Sequence, residues 1–113
     1  MAEGWSRVYI LVKRIPKGRV MTYGQLARAT RLAGGARAAG RAMAASPRGQ
    51  AIPWHRVLAA GGRIAVREPF ASLQRRLLES EGVRLFNGRV PLADHLWMPP
   101  KASPKRPAKK PSK

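Results

Sequence analysis

The stretch Pro53-Trp54-His55-Arg56-Val57 sets an indole, an imidazole and a guanidinium on three consecutive residues, directly after a proline that fixes the backbone. Imidazole exchanges protons near neutrality, indole offers a flat apolar surface with one polar handle, and guanidinium pairs with carboxylate or phosphate. A catalytic site, a binding pocket and a packed corner are all compatible with this stretch. A lone histidine is most simply a hydrogen-bonded packing residue. The chain contains no cysteine, which excludes a thiolate nucleophile, a thiolate zinc site and a disulfide framework together. His55 and His95, the two histidines, lie forty residues apart and form no recognisable metal pattern. Neither a metal nor another cofactor is expected.

The residue type in excess is cationic. Twenty-three Lys and Arg stand against five Asp and Glu in 113 residues, a formal net charge of +18. An imbalance of that size points to a polyanionic partner. From Lys101 the sequence reads KASPKRPAKKPSK, with nothing apolar to offset the entropy of ordering, and reads as a disordered basic tail. Taking its six cations from +18 leaves +12 on the remainder, so the folded part is basic in its own right. No apolar run approaches the roughly 18 residues of a membrane span, and the N-terminus shows no signal-like core. The expectation is a soluble, monomeric, cytoplasmic protein, nucleoid-associated if bacterial, with no membrane partner.

Several elements must position these groups. Trp5, Val8, Tyr9 and Val12 recur at the spacing of one helical face and predict a helix from about Gly4 to Arg14, ended by Pro16-Lys17-Gly18. Thr22 and Gln25 form a capping box that starts a second helix near Tyr23 and carries it to about Ala29, with Tyr23 on the exposed first turn. After Gly34-Gly35 a third helix runs from Ala36 to Ala45, closed by Pro47 and Gly49. Two helices joined by a short Gly-containing turn, with arginines on the second, match a helix-turn-helix. Val57-Leu58, Gly61-Gly62, Ile64 and Val66 read as a short hairpin or wing. Phe70, Leu73, Leu77 and Leu78 predict an amphipathic helix between Pro69 and Gly82. Val83-Arg84-Leu85-Phe86 and Gly88-Arg89-Val90 are expected to pair around a tight Asn87-Gly88 turn. The fold class is therefore α+β, mostly helical: one winged-helix-like domain over residues 1–100 and the tail over 101–113.

The third helix is an odd reader of bases. Methyl groups supply none of the bidentate donors and acceptors that major-groove readout needs. Small side chains suit close approach to a minor groove, with Arg37 as the long projecting group. Packing of the alanines against the first two helices is the plainer, less favoured alternative. Arg41, four residues on, fits a phosphate contact. On composition alone Tyr23 reads as structural.

Over Trp5 to Trp97, four segments in order carry a resemblance. Pro53-Trp54-His55-Arg56-Val57 resembles the Pro-Cys-His-Arg-Val active-site motif of the O6-alkylguanine-DNA alkyltransferases, with Trp54 where the alkyl-accepting cysteine belongs. Tyr23-Gly24-Gln25-Leu26-Ala27 resembles that family's Tyr-x-Gln-Leu-Ala segment, Ala36-Arg37-Ala38-Ala39-Gly40 its recognition helix, and Glu81-Gly82 its helix-ending Glu-Gly. Tryptophan in place of the cysteine marks the alkyltransferase-like subfamily, which the chain most resembles. The fold so implied is that of the C-terminal domain of DNA alkyltransferases.

The resemblance implies that Tyr23 rotates the 3′ phosphate of the target nucleotide and that Arg37 fills the gap left by the flipped base. It implies a lesion pocket lined by Trp54, His55, Arg56 and Val57, with Arg56 as a brace. His55 and Glu81 would form the relay that activates the thiol in the alkyltransferases. Here that relay has no nucleophile, because an indole at neutral pH is too weak to accept an alkyl group. Three departures accompany this: Ser46-Pro47 stands where Asn-Pro is usual, the loop Arg63–Pro69 lacks the usual tyrosine, and Arg41 occupies a position that is usually small. The expected function is a non-enzymatic sensor of O6-alkylguanine in duplex DNA that bends the duplex and hands the lesion to nucleotide excision repair proteins. Two rivals stand beside it: a dealkylase or glycosylase using water at His55 and Glu81, and a generic basic DNA-binding module.

Overall fold

The computed structural model describes residues 5–47 and 49–99. The expected tail, 101–113, lies outside the described residues, as does Gly4 at the expected start of the first helix.

Helix α1 spans Ser6–Lys13 and buries Val8, Tyr9, Leu11 and Val12, the face that the spacing predicts with Leu11 added. Helices α2 (Tyr23–Thr30) and α3 (Gly35–Ala44) form the helix-turn-helix. The capping box at α2 is formed in full: Thr22 Oγ1 accepts from the Gln25 N–H, and Gln25 Oε1 accepts from the Thr22 N–H. Arg31 ends α2 in the left-handed region, φ 54°. Tyr9 Oη donates to the Ala42 carbonyl at 2.9 Å and ties α1 to α3. Helix α4 spans Phe70–Ser80, within the expected bounds, but of the four residues expected on its apolar face only Leu78 is buried, Leu77 is partly so, and Phe70 and Leu73 are exposed.

Between these helices lies a two-stranded parallel sheet, β1 (Met21–Thr22) with β2 (Val57–Leu58), pairing Met21 with Val57 and Thr22 with Leu58. Alternate side chains of a strand point to opposite faces, and the sheet uses both. Met21 and Val57 join a core with Val8, Val12, Leu26, Ala39 and Ala42 from α1 to α3. Val20, just before β1, and Leu58 join a second core with Leu78, Val83 and Val90. The two faces of the sheet therefore carry the core of α1 to α3 on one side and, on the other, the core that holds Leu78 of α4, Val83 and Val90.

The hairpin expected from Val57-Leu58 to Ile64 and Val66 does not form. Val57-Leu58 pairs with a strand thirty-six residues upstream, because both residues are fully buried and need cover on both faces. Gly61-Gly62 does turn the chain, and the Ala59 N–H donates to the Arg63 carbonyl at 2.8 Å. Arg63 then bridges to Arg89 rather than leading a second strand through Ile64 and Val66. At Gly62 a β-carbon would collide with the Val90 carbonyl oxygen, so only glycine admits this crossing. The tight Asn87-Gly88 turn forms: Phe86 and Arg89 exchange N–H···O bonds of 2.8 and 3.0 Å, with φ 53° and 75° at the two turn residues. The expected pairing of Val83–Phe86 with Gly88–Val90 goes no further than this one bridge, because Arg89 also bridges to Arg63 and the Val90 N–H donates to the Gly62 carbonyl. A short helix α5, Leu92–His95, is additional; beyond it Val20 and Leu96 form a parallel bridge. Among the described residues no helix is long and apolar enough to cross a membrane.

Candidate nucleic-acid interface

Helix α3 divides its small residues between two tasks. Ala38, Ala39 and Ala42 are buried with Met43 against the first core, so packing accounts for them. Arg37, Arg41 and Ala44 are exposed and Gly40 is partly so. These four fall at i, i+3, i+4 and i+7, a single stripe in which two guanidinium groups flank residues of minimal bulk.

Tyr23 is half-buried rather than exposed, a correction to the reading of α2. Its ring packs on the first core and lies 3.9 Å from where a β-carbon on Gly40 would stand, which sets it beside the α3 stripe. Its phenol pKa is raised by burial. The hydroxyl therefore stays protonated at neutral pH and keeps an O–H to donate.

Trp54, His55 and Arg56 form one 3-10 turn leading into β2. The indole of Trp54 meets the His55 ring edge-on at 6.3 Å and the exposed Phe70 ring at 6.5 Å. His55 is buried and its Nε2 lies 2.9 Å from Glu81 Oε2. Arg56 clamps the same carboxylate with two bonds, Nε to Oε1 at 2.9 Å and Nη2 to Oε2 at 2.7 Å, and gives Nη1 to the Ile15 carbonyl beyond α1 at 2.8 Å. Burial opposes ionisation of Glu81, but hydrogen bonds from Arg56 and then His55 outweigh it and hold the carboxyl at about 2. Burial lowers the His55 pKa more than Glu81 raises it, with Arg56 adding to the lowering. His55 is thus neutral near pH 7 and, facing a carboxylate that only accepts, donates through Nε2 and keeps its lone pair on Nδ1.

Gln74 is the residue that sequence reasoning missed. It is 1% exposed, and its Nε2 donates to the carbonyls of His55 and Val57, each at 3.1 Å, gripping the turn from α4. The signal was present in the α4 pattern: an amide stands at i+4 from Phe70 and i−4 from Leu78, on the face expected to be apolar. The structure thus brings Trp54, His55, Arg56, Val57 and Glu81 together, while Tyr23, Arg37 and Arg41 follow the exposed edge of α2 and α3. Tyr23 and Trp54 both pack on the first core. His95 takes no part: its Nδ1 lies 2.9 Å from the Gly18 carbonyl.

Residues 4–83 match the family model described as "6-O-methylguanine DNA methyltransferase, DNA binding domain". The chain belongs to this methyltransferase family. Within the family it is similar to two groups of proteins. Alkyltransferase-like protein 1 of Schizosaccharomyces pombe is 36% identical over 106 residues, covering 88% of this chain and 98% of that one. The DNA base-flipping protein of Vibrio parahaemolyticus is 33% identical over 94 residues, covering 82% and 94%. Longer members include the methylated-DNA--protein-cysteine methyltransferase of Methanothermobacter thermautotrophicus, 38% identical over 83 residues, of which the match spans 46%. The fold matches a crystal structure of the S. pombe protein in complex with damaged DNA containing O6-carboxymethylguanine, with TM-score 0.76, 35% identity, and 88% and 98% of the two chains covered.

Proposed function

We propose that this protein is a non-enzymatic sensor that binds O6-alkylguanine in duplex DNA, flips the base into a pocket beside Trp54, bends the duplex and marks the lesion for nucleotide excision repair. One observation carries the reading. Trp54 stands against a fully formed His55–Glu81–Arg56 network in a chain with no cysteine. The proton-handling group is present, and the residue before it cannot accept an alkyl group.

In this reading the +18 charge draws the protein to any duplex through counterion release. The α3 stripe lies along the minor groove, where Gly40 and Ala44 allow close approach and Arg41 contacts a phosphate. Tyr23 donates its hydroxyl to the 3′ phosphate, and Arg37 occupies the stack vacated by the base. Flipping costs a few kcal/mol of stacking and pairing, and the inserted guanidinium offsets part of that only while the base is out. The backbone of the 3-10 turn, held by Gln74, meets the base edge and Trp54 supplies the wall, while Val57, expected in the pocket lining, is fully buried in β2 and backs the turn from behind. The S. pombe relative, solved with O6-carboxymethylguanine DNA, supports the choice of lesion. The domain is taken to end near residue 100, with the tail adding unspecific charge. The protein acts as a monomer wherever the DNA is, the cytoplasm in a bacterium.

Intact mass tests the absence of transfer. After incubation with duplex containing O6-methylguanine, the protein mass should be unchanged and the lesion should remain in the DNA. A gain of one methyl group would reinstate transfer. Restored guanine or released base with unchanged protein would establish water-based chemistry at His55 instead.

A further inference from the structure

On the side of the sheet away from α3, an open groove of about 280 Å³ runs between α4 and the Phe86–Arg89 turn. Ile64, Ala71 and Leu85 give it an apolar floor, and Arg75 stands in its wall. Glu68, on the rim, is already engaged: its two carboxylate oxygens accept from the Ser72 N–H at 3.0 Å and the Ser72 hydroxyl at 2.9 Å. Arg75 lines the groove, Arg63, Arg84 and Arg89 adjoin its lining residues Ile64, Leu85 and Gly88 in sequence, all four are exposed, and none forms a salt bridge with a described residue. Glu79, one turn beyond Arg75 on α4, is the opposing charge nearby in sequence.

We infer that this groove docks an acidic segment of a protein partner that inserts a leucine or phenylalanine side chain. Apolar floors ringed by arginine are the composition of protein interfaces. Phosphate recognition needs the cations but not the floor. The volume is at the low end for a small-molecule site and suits one anchoring side chain. Neither the chain's own tail, KASPKRPAKKPSK, nor a second copy at +18 has complementary charge. Because the groove and α3 lie on opposite sides of the sheet, one molecule can hold a duplex and this segment together. The inference goes beyond lesion recognition, and its test requires no lesion.

The probe is a short fluorescein-labelled Asp/Glu peptide carrying a Leu pair, with the same peptide bearing Ser at both positions as control, each titrated by anisotropy against the full chain. The leucine peptide should bind roughly tenfold tighter than the control. Ala71→Trp, which fills the groove, and Arg75→Ala, an exposed change that spares the fold, should each weaken it by about five- to tenfold. Unmodified-duplex affinity should move by less than about twofold, as expected for a surface outside the DNA contact, and the peptide should still bind protein saturated with duplex. Equal binding of the two peptides, or indifference to both substitutions, would overturn the inference. Displacement of the peptide by duplex, or equal weakening of duplex binding by Ala71→Trp, would assign the surface to nucleic acid and overturn it as well.

Discussion

Glu81→Gln removes the charge around which the site is organised. In the folded protein the carboxyl sits at about 2 against an ordinary 4.5, and its side chain is 10% exposed. A shift of that size corresponds to about 3 kcal/mol of stability at neutral pH. Arg56 supplies most of it, because His55 is held below its ordinary pKa by burial and does not complete a charged pair. Glutamine keeps one acceptor but turns an NH2 toward a guanidinium or imidazole and leaves Arg56 unneutralised. Urea unfolding at pH 7 should therefore show Glu81→Gln less stable by about 3 kcal/mol with an unchanged slope against denaturant. Since the folded pKa is depressed, the stabilisation is complete above about 4.5 and disappears as pH falls through that value toward about 2. The gap between parent and variant should close as pH falls through about 4.5 toward 2. His55 adds acid sensitivity in the same direction below 6.5, where the unfolded chain takes up its proton more readily. A gap under about 1 kcal/mol at pH 7, the size of a surface ion pair, or one that stays constant down to pH 3, would refute the reasoning.

Arg37→Ala should weaken binding to O6-methylguanine duplex by about 1–3 kcal/mol more than to unmodified duplex, whereas Arg41→Ala should weaken both alike; paired anisotropy titrations decide between a flipping role and a phosphate contact. Gly40→Ala should raise the melting temperature, by up to about 1 kcal/mol of helix propensity, because the new methyl would meet Tyr23 at an ordinary 3.9 Å. A fall would show that the tyrosine ring leaves no room. Truncation after Pro100 should flatten the slope of log affinity against log salt by roughly 0.9 for each phosphate that the tail neutralises and leave the ratio between the two duplexes untouched. A changed ratio would make residues 101–113 part of the reader.

What could be read in the sequence was local. The capping box at Thr22, the apolar spacing of α1 and α4, and the Asn87-Gly88 turn depend on residues within one or two turns of each other, and each formed where its signature placed it. The pairing of Met21-Thr22 with Val57-Leu58 did not announce itself. Two-residue strands show no alternation, and a parallel partner arrives only after the whole α2–α3 crossover. Helix α5 was hidden for the same reason, since four residues carry no period. The chemistry of Trp54-His55-Arg56 was legible as residue types, but the link to Glu81 came from family likeness and not from spacing. The hold of Arg56 on the Ile15 carbonyl left no trace, because a backbone acceptor has no residue identity. The divided role of the α3 alanines likewise depended on where the first core lies.

The central claim, that the protein distinguishes a lesion it does not repair, is tested most directly by competition between O6-methylguanine duplex and the same duplex unmodified, at physiological salt, with both strands recovered and sequenced chemically afterwards. Clear preference for the methylated duplex and full recovery of the methylated base are expected. Equal competition by the two duplexes would reduce the protein to a basic DNA-binding module, and preference accompanied by loss of the methyl group would make it an enzyme.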